Sequence, residues 1–164
     1  MKLSDEHYRA IGRICVAFSE LDQYVSYYIW TFISTDRVAS DQPIGQIITS
    51  EISFTKELDL LCALFKYRIK DKNQVKILEK FISRISEIEQ NRNTMLHSIW
   101  ISDKTDDTKA TRFKITAKRK KGLHWSIQTI IPDELNDIAD DFDRVKIDFR
   151  KFMMPIERSL RGPN

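Results

Sequence analysis

Arg92, Asn93 and His97 lie together in the stretch "RNTMLH", and their types suit chemistry at a phosphate. Arginine carries a rigid fork of donors that matches phosphate oxygens two at a time. Histidine both gives and takes protons near neutral pH, so it can serve as acid or base. Asn93 and His97 are four residues apart, and on a helix that spacing allows the amide to orient the imidazole. The same residues also have a purely structural reading. Arg92 could pair with an acid such as Glu20 or Asp22 on the first helix, and His97 could be a satisfied core histidine. A structural Asn–His pair looks identical in sequence.

These residues sit on a helix read from its apolar periodicity. Leu78, Phe81, Ile82, Ile85 and Ile88 recur at helical spacing, and Met95, Leu96 and Ile99 continue the stripe. The seam position after Ile88 is Arg92, where an apolar residue belongs. This helix is expected from about Asn73 to Trp100. A helix starting near Ser53 or Thr55 precedes it and carries Leu58, Leu61, Leu64 and Phe65. The short turn "KDKNQ" should make the two antiparallel. A long first helix spans about Ser4 to Ser34, with Ser4 as N-cap and Asp5 and Glu6 in its first turn. The stretch "STDRVASDQPIGQ" after it reads as a loop, since it collects Ser, Asp, Pro43 and Gly45.

Downstream the period changes. After the polar loop "SDKTDDTKAT", Phe113 and Ile115 alternate with polar residues, and Trp125, Ile127 and Thr129 alternate with Ser126, Gln128 and Ile130. This predicts a β-hairpin over about 111–131, with Gly122 at its turn and "KRKKG" at its tip. Pro132, Asp133 and Glu134 open a last helix with Leu135, Ile138, Phe142, Val145, Phe149 and Phe152 as its stripe. Pro155 is expected to stop it, leaving a frayed tail over about 157–164. The fold class is therefore all-α: one domain over 1–164, a bundle of about four main helices with a small hairpin inserted before the last.

Composition narrows the function classes. The 164 residues are 41% hydrophobic and 31% charged, as in a folded globular chain. A formal charge of +3 does not by itself imply a nucleic-acid partner, so any basic patch must be local. The clearest is Lys118, Arg119, Lys120 and Lys121, which could track an RNA backbone or be a solvated turn. No apolar run reaches the roughly 20 residues of a membrane span and no signal-peptide core begins the chain, so a cytoplasmic protein without membrane contact is expected. Cys15 and Cys62 read as buried reduced thiols. His7 and His124 have no ligand spacing with each other or with the cysteines, and no Gly-rich phosphate loop exists, so neither metal nor cofactor is expected.

The motif "RNTMLHSIW" resembles the signature of the HEPN superfamily, an Arg followed by four to six residues and a His. It is similar to the subgroup reading Arg-Asn, three residues, His, a small residue, any residue, Trp. A bare Arg-Asn-x-x-x-His match arises by chance in on the order of 1% of chains this long, so its position on a helical seam carries much of the weight. The resemblance implies a metal-independent endoribonuclease, in a prokaryotic defence or toxin–antitoxin role. The RNA 2′-hydroxyl would attack the adjacent phosphate and leave a 2′,3′-cyclic phosphate. His97 would be the acid–base residue, Arg92 the phosphate clamp and Asn93 the group orienting His97. Lys118, Arg119, Lys120 and Lys121 would hold RNA. A tyrosine that partner nucleotidyltransferases modify in some HEPN toxins is replaced by Ile99 here. That disfavours silencing by modification and leaves an antitoxin or nucleotidyltransferase that only binds. The alternatives are a non-catalytic HEPN-like interaction module and a plain RNA-binding bundle.

Geometry adds one expectation. Arg92 and His97, five residues apart on a helix, diverge by about 140° and cannot share one narrow face. A homodimer with the C-terminal half of this helix at its twofold axis would gather two Arg–His pairs around one groove. The seam arginine would then face a subunit interface.

Overall fold

The computed structural model describes residues 3–34, 42–103, 105–118 and 122–161. Among them are five helices and three strands: α1 (Asp5–Ile33), α2 (Gln42–Ser50), α3 (Phe54–Arg68), α4 (Lys72–Leu96), β1 (Ile99–Ser102), β2 (Ala110–Lys118), β3 (Gly122–Ile130) and α5 (Pro132–Arg161). The protein is mainly helical, but the three-stranded antiparallel sheet, ordered β1-β2-β3, corrects the all-α expectation. By internal contacts the chain divides into two compact units, Met1–Phe18 with Ile88–Asp143, and Ser19–Glu87 with Arg144–Asn164. No described helix is long and apolar enough to cross a membrane.

Helix starts follow side-chain capping. Ser4 Oγ accepts the His7 backbone N–H at 3.4 Å and contacts His7 Nδ1 at 2.6 Å. Asp71 Oδ1 accepts from the backbone of Asn73 and Gln74 and starts α4. Glu134 Oε2 reaches back to the Ile131 N–H, half of a capping box, ahead of α5.

In the unit Ser19–Glu87 with Arg144–Asn164, hydrocarbon packs on hydrocarbon. Leu21, Ile29, Leu61, Phe65, Leu78, Ile85 and Phe149 are fully buried. Phe81 stacks on Phe152 at 5.4 Å, and Phe149 meets Tyr28 edge-on at 5.6 Å. Lys66 on α3 bridges Glu79 on α4 at 2.7 Å, as the tight antiparallel pair requires. The segment read as a loop from Ser34 to Gln46 ends in α2, because Gly45 lets that helix lie against Trp30. A Cβ there would come within 2.6 Å of the indole, whose Nε1 donates to Thr49 Oγ1. Pro155 does not stop α5. The proline costs one backbone hydrogen bond, yet Met153 and Ile156 are buried on either side and Tyr27 donates to Glu157 at 2.5 Å.

In the unit Met1–Phe18 with Ile88–Asp143, the sheet stands between the last turn of α4 and the start of α5. The hairpin falls where alternation placed it: Phe113 pairs with Ile127, Ile115 with Trp125, and Lys118 with Gly122, whose φ of 70° makes the turn. β1 was not foreseen. It pairs Ile99 with Phe113 and Ile101 with Thr111. The expected helix to Trp100 therefore ends at Leu96. Cys15 and Cys62 are not joined in a disulfide, and both are half-buried instead of buried.

Candidate functional site

The motif occupies the end of α4, where the last backbone carbonyls have no helical partner and must find others. Three side chains supply them. Lys114 Nζ donates at 3.1 Å to the Asn93 carbonyl, which also keeps its helical bond from the His97 N–H at 3.1 Å. Ser98 Oγ donates to the Thr94 carbonyl at 2.5 Å, and Trp100 Nε1 to the Met95 carbonyl at 2.9 Å. Trp100 is thus a half-buried cap, not a free platform for a base. Lys114 also suits the negative end of the helix dipole.

Arg92 and Asn93 come together. Arg92 Nη1 donates to Asn93 Oδ1 at 2.8 Å, and Asn93 Nδ2 donates to Glu89 Oε1 at 3.3 Å. The Asn93 amide is committed to Arg92 and Glu89, so it does not perform the expected orientation of His97. The Arg92 guanidinium lies 4.3 Å from the Phe18 ring centroid, a cation–π stack, and its Nε is buried with no hydrogen-bond partner. This accounts for the seam arginine within the protomer, where Arg92 fills its seam position by stacking on Phe18 of α1. Glu20, one acid suggested for it, is taken by Lys146.

His97 is exposed, just beyond the end of α4. Among the described residues, its ring makes no hydrogen bond or ion pair, while its backbone N–H keeps the last helical bond. The motif therefore presents a half-buried, anchored arginine and an open imidazole about five residues, or roughly 7.5 Å of helix rise, apart.

Sequence reasoning missed two cations beside the motif. Arg112, 3% exposed, donates to Gln128 Oε1 at 2.9 Å, Ser98 Oγ at 3.4 Å and Ser126 Oγ at 3.5 Å, all neutral acceptors. Burial lowers its pKa, and its Nε has no partner. Lys114 has its pKa lowered by desolvation first and by the Arg112 charge second. The signal was present: Arg112 and Lys114 are two apart on one strand, so they share a face. Of the basic run, Lys118 ends β2, while Arg119, Lys120 and Lys121 lie outside the described residues. Among the described residues no three His, Cys, Asp or Glu side chains group as a metal site. Compared with protein-family models, with curated proteins and with solved structures, the chain matches none.

Proposed function

We propose that this chain is a metal-independent endoribonuclease of HEPN type. The observation that carries the reading is His97: an exposed imidazole without a side-chain partner, directly after a helix turn whose Arg92 is anchored by Asn93 and Phe18. Cleavage through the substrate's own 2′-hydroxyl needs a group that takes that proton and another that protonates the leaving 5′-oxygen. His97 supplies one of these functions. Arg92 holds the phosphate and stabilises the charge that builds on it. Asn93 positions Arg92 through its side-chain oxygen, in place of the orientation of His97 expected from spacing. Lys118, Arg119, Lys120 and Lys121 track the RNA backbone. In a homodimer a second His97 serves as the complementary acid or base. A toxin or defence role, with an antitoxin or nucleotidyltransferase that binds without modifying, belongs to the same proposal.

The rival reading is a HEPN-like interaction module. It draws on Arg92, which is half-buried and already paired. Labelled RNA incubated with the purified protein in EDTA separates the two. Cleavage with 2′,3′-cyclic phosphate ends is expected, and His97→Ala should slow it by about 10²–10⁴-fold, the usual share of an acid–base group. Since His97 is exposed, the variant should melt like the wild type. Equal cutting by His97→Ala removes the nuclease reading.

A further inference from the structure

We infer that the outer face of the sheet is the surface on which a second copy of this chain docks. Side chains alternate across a strand, so the register divides the sheet into two faces. One face carries Arg112, Lys114, Ser126 and Gln128 and turns toward the end of α4, where Lys114 reaches the Asn93 carbonyl. The opposite face carries Ile99, Ile101, Ile115, Leu123, Trp125 and Ile127. All six are between 44% and 63% exposed. The inner face also buries Ala110 and Ile130, whereas the outer face of an antiparallel sheet is ordinarily polar and here is apolar.

Area and charge both point to the occupant. Six large side chains at about half exposure present on the order of 500 Å² of hydrocarbon, near the top of the range for the largest patch on a monomer. A standard interface takes about 800 Å² from each partner, of which roughly 60%, or about 480 Å², is apolar. One such face meeting another therefore has the apolar content that a stable dimer needs. The other positions on this face are Thr, Ala and Phe, so none of its strand residues carries a charge. In a twofold dimer a patch meets itself, and any charge near the axis would meet its own sign. An unlike partner is usually steered by complementary charge, and this face offers none. Face-to-face packing of the two sheets, about 10 Å apart, is the geometry of a β-sandwich. His97 precedes Ile99 by two residues and so stands at the rim of this interface. The inference rests on the sheet alone; the nuclease reading draws its second His97 from such a dimer, and a test that reads mass instead of activity keeps failure of one distinguishable from failure of the other.

Light scattering at micromolar concentration should give about twice the chain mass of 19.4 kDa. Trp125→Lys with Ile127→Lys should weaken self-association at least about a hundredfold, because buried aromatic anchors dominate interface energy, and should return the mass to that of one chain. Circular dichroism should be unchanged, since both residues are exposed in the monomer. The milder pair Ile115→Ser and Leu123→Ser should act in the same direction, and keeps the test open if the lysine variant does not fold. Tyr67→Lys, an exposed aromatic on α3, should leave the dimer intact. A wild type that is monomeric at 100 μM, roughly the upper end of a specific association, overturns the inference and leaves the face to an unlike protein. A dimer unaffected by folded variants of both pairs overturns it too.

Discussion

Glu57 and Arg112 are almost fully withdrawn from water, at 5% and 3% exposed, yet their two units treat them differently. Glu57 belongs to the unit of stacked aromatic and aliphatic side chains. Its carboxyl is pushed up to about 7, by desolvation first and by Asp22 to a lesser degree, against the lowering effect of the hydrogen bond donated by Ser26. Near neutral pH this acid can shed its charge. Arg112 cannot, because a guanidinium stays protonated. It is held instead by neutral oxygens beside the negative end of α4. One unit neutralises what it buries. The other keeps cations inside and puts hydrocarbon outside, on the outer sheet face. Departures from ordinary burial concentrate where a protein trades stability for function, and Arg112 and Lys114 make theirs beside the motif.

The contrast can be broken first at Glu57. Its folded pKa of about 7 exceeds the ordinary 4.5, so the native state holds the extra proton between those values. Stability from this group is fully present below pH 4.5 and falls as pH rises toward 7, by roughly 3 kcal/mol in all. Glu57→Gln keeps an acceptor for Ser26 and removes the titration. Urea unfolding should find the variant close to wild type at pH 4.5 and more stable by about 2–3 kcal/mol at pH 8. A wild-type stability that does not fall between those pH values, after correction for other groups, would show that the acid is not desolvated.

A smaller effect sharpens the other half. Lys114→Met keeps the aliphatic stem but removes the donor to the Asn93 carbonyl. It should cost about 1 kcal/mol, the ordinary worth of one such hydrogen bond, and raise hydrogen exchange in the last turn of α4. Unchanged exchange there would deny that this cation holds the helix end.

How much of this was legible depends on how local each signal is. The bounds of α1, the start of α4 and the two-stranded hairpin follow from caps, turns and periodicity, which act over a few residues. The end of α4 does not. Met95, Leu96 and Ile99 fit a continuing helical stripe, and no glycine marks the stop. The stop is made by Ser98, Trp100 and the distant Lys114, which take the last carbonyls. α2 was obscured by Pro43 and Gly45, which read as loop until Trp30 explains the glycine. Pro155 passes within α5 because packing outweighs its local penalty. At the motif, the residue types and spacing were legible. The use of the Asn93 amide was not, because i,i+4 geometry permits the His97 contact without excluding Arg92 next to it or Glu89 one turn the other way.

The proposed reaction is cleavage by the substrate's own 2′-hydroxyl, served by His97 and Arg92. One oligonucleotide sequence prepared as RNA and as its fully 2′-O-methylated form, each incubated with wild-type protein in EDTA, tests it most directly. The RNA should be cut to fragments ending in 2′,3′-cyclic phosphate, and the methylated strand should stay intact because its nucleophile is blocked. Cutting of the methylated strand, or RNA fragments with a 3′-hydroxyl, would contradict the mechanism.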